Sequence, residues 1–157
     1  FIELLNIMKD VMNDIYIVLD TKETAYVKFF TKIVEDILSV DPALLSHFIP
    51  QIYDERMFEK VEKIHQFDSY IYTLYKTSAT NEKVYTFLQE NERILILTVS
   101  TGRIQEMDET YLESINALGR FVYVHTINSM STYENYLEIG VHGIYSDFIT
   151  EDMVDSD

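Results

Sequence analysis

The chain has no cysteine, no tryptophan and only 12 basic residues against 27 acidic ones. Without cysteine there are no disulfides and no thiol chemistry, and no compartment is selected, so cytoplasmic and secreted locations both stay open. A formal net charge of -15 and the lack of a basic cluster argue against a nucleic-acid partner, because binding a phosphate backbone depends on Lys and Arg side chains that neutralise it. An anionic substrate would need a local cation or a metal. The longest aliphatic run, Ile94 to Leu97, is far short of the roughly 20 apolar residues of a membrane-spanning helix, so no transmembrane segment is expected. No charged-then-apolar leader opens the sequence, which starts on Phe1 rather than Met. That start is compatible with a removed signal or an upstream segment.

What is present is a chain of 157 residues with 47% hydrophobic content, enough to bury a core and expected to form a single domain over 1–157. Helix and strand patterns alternate strictly along it. Residues 2–12 carry Leu4, Leu5, Met8, Val11 and Met12 at helical spacing, and a strand is expected over 14–20. Residues 24–38 place Tyr26, Phe29, Phe30, Ile33, Val34, Ile37 and Leu38 on one helical stripe, and "HFIPQI" then reads as a strand. Asp54 is the expected N-cap of a helix that buries Met57, Phe58, Val61 and Ile64, before the strand "SYIYTLY". Thr80 opens the next helix and "RILILTVS" follows. Asp108 opens another, stopped by Gly119 and followed by "FVYVHTI". Ser131 with Glu134 reads as a capping box, Gly140 ends that helix, and "GIYSDF" is the last strand. The acidic end "EDMVDSD" reads as a frayed, solvated tail.

Six strands, each joined to the next through a helix and spaced about 25 residues apart, define an α/β fold with a parallel sheet. A doubly wound sheet and a barrel both satisfy the alternation. The polar residues favour a barrel: Asp20 and Lys22, Gln51 and Tyr53, Thr73 and Tyr75, Thr98 and Ser100, His125 to Asn128, and Ser146 with Asp147 stand at successive strand ends. A TIM (β/α)₈ barrel gathers such ends into one active-site face, but usually takes about 200 residues or more and eight strands. Six βα units therefore predict an incomplete TIM barrel. In "YIVLDTK" the period of two puts Tyr16, Val18, Asp20 and Lys22 on one face of a strand and Ile17, Leu19 and Thr21 on the other. Two charges at the end of an apolar strand are either a strand-end ion pair or part of a site.

The segments "VLDTK", "FIPQIYDERMFEKV", "FDSYIYTLYKT", "FVYVHTIN" and "GVHGIYSDFIT" resemble successive strand motifs of the bacterial glycerophosphodiester phosphodiesterase family, TIM barrels related to phosphatidylinositol phospholipases C. The resemblance covers essentially the whole chain and implies that its strands are the third to eighth of the family's barrel. It also implies metal-dependent hydrolysis of a glycerophosphodiester, a small-molecule substrate of lipid metabolism, to glycerol 3-phosphate and an alcohol. By the same resemblance Asp20 ligates a divalent cation, Mg²⁺ or Ca²⁺, both hard ions suited to carboxylate oxygen. By that resemblance Lys22 binds the phosphate, and Gln51, Tyr53, Tyr75 and His125, at the strand ends, are the further candidate substrate-binding residues.

The family's His-Arg pair, Glu-x-Asp pair and further His, on its first two strands, have no counterpart among these residues. No catalytic residue is assigned, and the 157-residue chain alone is expected to be inactive, its activity belonging to the parent barrel. A second copy, or an N-terminal segment, is expected to complete that barrel. Two further departures are visible. Asp20 stands where most members have Glu, and His125, before Thr126 and Asn128, stands where many have Trp. The alternative reading is a barrel-derived binding or interaction module without catalysis. Gln51 is equally compatible with satisfying a backbone group, and a lone His125 with a hydrogen-bonded wall.

Overall fold

The structure, a computed structural model, describes residues 1–11, 15–22, 24–75 and 77–154. Its sheet has six parallel strands in the order of the sequence. With helices between the strands, this is an α/β fold of the TIM-barrel type, incomplete at six βα units. The chain divides into two compact units, Phe1–Ile71 and Tyr72–Asp157.

In the first unit, helix α1 (Ile2–Val11) precedes strand β1 (Ile17–Leu19), α2 (Tyr26–Val40), a 3₁₀ helix (Pro42–His47), β2 (Phe48–Ile52) and α3 (Glu55–Ile64). Residues 12–14, where the expected helix ends and the expected strand begins, lie outside the described residues. Parallel pairing sets Ile17 beside Phe48, Val18 beside Ile49 and Leu19 beside Pro50. Phe48, Pro50 and Ile52 are buried while Ile49 and Gln51 between them are half-exposed. The buried row faces the helices: Phe1, just before α1, stacks edge-on against Phe48 at 6.1 Å. On α2 the buried side chains are Phe30, Val34 and Ile37, at the i, i+4, i+7 spacing of one helical face. Leu38, expected on that stripe, is exposed. Asp54 caps α3 as the sequence predicts, its Oδ1 accepting from the Met57 amide at 2.7 Å.

Strand β3 (Tyr70–Thr73) is buried at all four positions, the pattern of a parallel strand covered on both faces. The second unit continues through α4 (Asn81–Glu90), β4 (Ile94–Ser100), α5 (Thr101–Ile104), α6 (Glu109–Ala117), β5 (Phe121–His125), α7 (Met130–Glu138), β6 (Gly143–Tyr145) and the short α8 (Glu151–Val154). Thr80, Ser100 and Asp108 cap α4, α5 and α6 through their side-chain oxygens. Helix α7 starts two residues earlier than its expected capping box. Ser129 takes the N-cap position without a side-chain cap bond, and its hydroxyl lies 3.1 Å from that of Ser131. The first four residues of the expected tail form α8, and 155–157 lie outside the described residues.

Register in this unit aligns Leu97 with Val122, Val99 with Val124, and Val124 with Ile144. Leu97, Val99, Val122 and Val124 are completely buried. The opposite face carries Thr98, Tyr123 and Gly143 in one row and Ser100, His125 and Tyr145 in the next. Gly143 permits the packing there, because a Cβ at that position would lie 2.9 Å from the Tyr123 ring.

Candidate functional site

Asp20 directly follows β1. Since Leu19 pairs with Pro50, the next step of the register sets Asp20 level with Gln51, on the face turned away from the helices. Tyr53, two residues beyond Gln51 and so on the same face, donates its phenolic proton to Asp20 Oδ1 at 2.6 Å. Gln51 Nε2 donates to the Tyr53 hydroxyl at 3.3 Å. Asp20 is exposed and Gln51 half-buried, whereas Tyr53 is 7% exposed. Three residues expected in the site thus form one hydrogen-bonded chain. Lys22 is exposed, two residues past Asp20.

A carboxylate that accepts a hydroxyl at Oδ1 keeps its second oxygen for a ligand. A divalent cation held by protein alone, however, takes several oxygens. Among the described residues no three His, Asp or Glu side chains are grouped to hold an ion. Asp20 is therefore one candidate ligand and does not form a complete site.

The other two expected residues lie in the second unit. The His125 ring sits between those of Tyr75, 6.2 Å away, and Tyr145, 6.4 Å away. Among the described residues its buried Nε2 has no hydrogen-bond partner, and desolvation holds the imidazole below its ordinary pKa of 6.5. Burial thus favours the uncharged imidazole. Tyr75 is 62% exposed and presents its ring at the surface. Beyond His125 the two chain segments are tied together: Asn128 Oδ1 accepts from the Ser146 hydroxyl (3.1 Å) and the Asp147 amide (2.9 Å), and Asn128 Nδ2 donates to Asp147 Oδ2 (3.2 Å).

Two aromatic residues absent from the sequence expectation join this region. Tyr145 abuts His125, and Tyr123 meets Tyr145 at 6.3 Å. Both line an open groove of about 650 Å³ beside β6, together with Tyr133, Ser146 and Thr150. The alternation of "FVYVH" and "GIYSD" carried the signal, since Tyr123 shares a face with His125, but the register that sets Tyr145 against His125 is not written in either segment. Arg103 ties α5 to the start of α4 through Ala79 O (2.8 Å) and Asn81 Oδ1 (2.7 Å). Burial there pushes the Tyr111 phenol up to about 12.

No protein-family model and no curated protein matches the sequence. Solved structures do share its fold. A phosphodiesterase of Oleispira antarctica, in complex with the product sn-glycerol-3-phosphate, aligns with 99% of this chain at a TM-score of 0.70 and 17% identity. A glycerophosphodiester phosphodiesterase of Thermotoga maritima aligns with 92% at a TM-score of 0.63 and 18% identity. The chain spans 60% and 59% of those two proteins. Along its six βα units the chain therefore has the fold of glycerophosphodiester phosphodiesterases, as its strand motifs indicated.

Proposed function

We propose that this chain supplies six βα units of a barrel that hydrolyses glycerophosphodiesters to glycerol 3-phosphate and an alcohol with the help of Mg²⁺ or Ca²⁺. The observation that carries the reading is the fold shared over 99% of the chain with a phosphodiesterase bound to sn-glycerol-3-phosphate. The acid-x-Lys pair at the end of β1 agrees with it. In this reading Asp20 offers its second oxygen to the cation, and Lys22 neutralises the phosphate. His125, whose burial favours the uncharged ring, forms with Tyr75 a wall against the substrate. A bound divalent cation supplies Lewis-acid polarisation of a phosphoryl oxygen.

The end strands support the further proposal that an upstream segment or a second copy completes the barrel. Strands β1 and β6 stand at the two ends of the sheet order. Exposed apolar residues include Ile2, Leu4 and Ile7 on α1, Tyr16 and Val18 at β1, Leu137 and Ile139 at the end of α7, and Tyr145 and Phe148 at and just beyond β6. End strands of this kind are normally covered. The competing reading is a binding module without turnover, favoured by the lack, among the described residues, of any group of three His, Asp or Glu side chains that could hold an ion.

The test is release of glycerol 3-phosphate from a glycerophosphodiester by the parent protein. We expect it to depend on the cation and to fall about 100-fold or more in Asp20→Ala, since a bound cation contributes several kcal/mol of charge stabilisation. Turnover that survives both chelation and Asp20→Ala would refute the reading. Product binding without turnover would establish the module instead.

A further inference from the structure

We infer that Tyr53 is a positioning residue for Asp20 rather than a substrate-binding residue, and that the Gln51 amide braces the Tyr53 hydroxyl from its other side. The inference rests on the proposal that Asp20 is a cation ligand, and it adds the means by which that ligand is held. A tyrosine hydroxyl has one proton to give, and a carboxylate can only accept. At 2.6 Å from Asp20 Oδ1, that proton is committed to Asp20. Gln51, 3.3 Å from the same hydroxyl, cannot receive it as well, so its amide must present N–H to the phenol oxygen and turn its carbonyl away. The direction of the relay, from Gln51 through Tyr53 to Asp20, follows from proton count alone.

Burial separates the roles. The Tyr53 ring is 7% exposed, so its stem is fixed, and its hydroxyl is occupied by two partners already on the page. Asp20 is exposed, just beyond the last residue of a three-residue strand. A carboxylate so placed samples several rotamers in water unless something holds it. A charge-assisted O–H···O⁻ bond is short and about twice as strong as a neutral one. It restrains Asp20 while leaving Oδ2 for the ligand. Metal ligands are commonly oriented by partners of this kind, whose removal costs about 10- to 100-fold in affinity.

The experiment uses the 157-residue chain in solution and has two readouts. Side-chain coupling constants by NMR report the Asp20 rotamer without any metal. Line broadening of the Asp20 and Thr21 backbone amides by Mn²⁺ reports the cation and its apparent Kd. Expected are one dominant Asp20 rotamer in the wild type, rotamer averaging in Tyr53→Phe, and an Mn²⁺ affinity about ten-fold weaker in Tyr53→Phe. Gln51→Met, which leaves the ring in place, moves both readouts the same way by less. It serves as the second variant should Tyr53→Phe disturb the unit's amide spectrum. An Asp20 rotamer unchanged in both variants overturns the positioning role, whatever Mn²⁺ does. Rotamer averaging in Tyr53→Phe with equal Mn²⁺ broadening in wild type and Asp20→Asn overturns the cation reading instead.

Discussion

Arg120 offers the sharpest test of how the second unit is held together. It is buried, and among the described residues its charge is met by carbonyls: Nη1 donates to Leu118 O at 2.8 Å and Nη2 to Leu88 O at 3.2 Å. Leu88 lies in the last turn of α4 and Leu118 is the C-cap of α6. The guanidinium therefore satisfies carbonyls that helix ends leave unpaired and sits at the negative ends of two helix dipoles. It also stands immediately before β5, the strand that delivers His125.

In Arg120→Met the stem volume remains and the two bonds go. Hydrogen bonds to a charged group are worth about 1.5–3 kcal/mol each. Relief of burying the charge, whose Nε has no partner among the described residues, returns part of that sum. A net loss of about 2–4 kcal/mol is expected, or a fall in melting temperature of roughly 5–15 °C for a chain of this size. Urea unfolding of wild type, Arg120→Met and Arg120→Lys measures it from the midpoint at constant slope. Lysine, a single point donor, should recover no more than about half. A loss below about 0.5 kcal/mol for methionine, or full stability with lysine, would show that the two helix ends do not depend on the planar fork.

Two further outcomes follow from local geometry and burial. Asp54→Ala should cost about 1 kcal/mol in denaturant unfolding and Asp54→Ser much less, because the lost acceptor serves the Met57 amide at the start of α3; equal stability of the three proteins would contradict the cap. Burial lowers the folded-state pKa of His125 below 6.5, so the unfolded chain takes up its proton first as pH falls. The stabilisation from this residue is complete above about pH 6.5 and is lost as pH drops through the folded value. His125→Gln should flatten that acid-side loss, and an imidazole NMR titration midpoint at or above 6.5 would refute the desolvation.

Much of the architecture was legible because its causes are local. Six apolar strand segments separated by helical stripes specify a parallel α/β chain, since the burial period of each element is carried by its own residues. The N-caps Asp54, Thr80 and Asp108 were readable for the same reason, each acting on an amide three residues away. Legibility failed where local signals competed or were too short to be periodic. Ser129 and Ser131 offer the same hydroxyl at the start of α7, and the 3₁₀ helix Pro42–His47 and helix α5 span six and four residues.

The candidate site divides along the same line. Alternation along "YIVLDTK" and "FIPQIY" sorted Asp20 to one face and Gln51 with Tyr53 to one face, and the strand-end charges marked a place where chemistry was worth seeking. The bond from Tyr53 to Asp20 spans 33 positions of sequence, and the ring of His125 between Tyr75 and Tyr145 draws on three separate strand ends. The sequence by itself determined which residues share a strand face. Only the tertiary structure decided which oxygen meets which hydroxyl, because strand register and side-chain packing are set jointly by segments that do not adjoin in the chain.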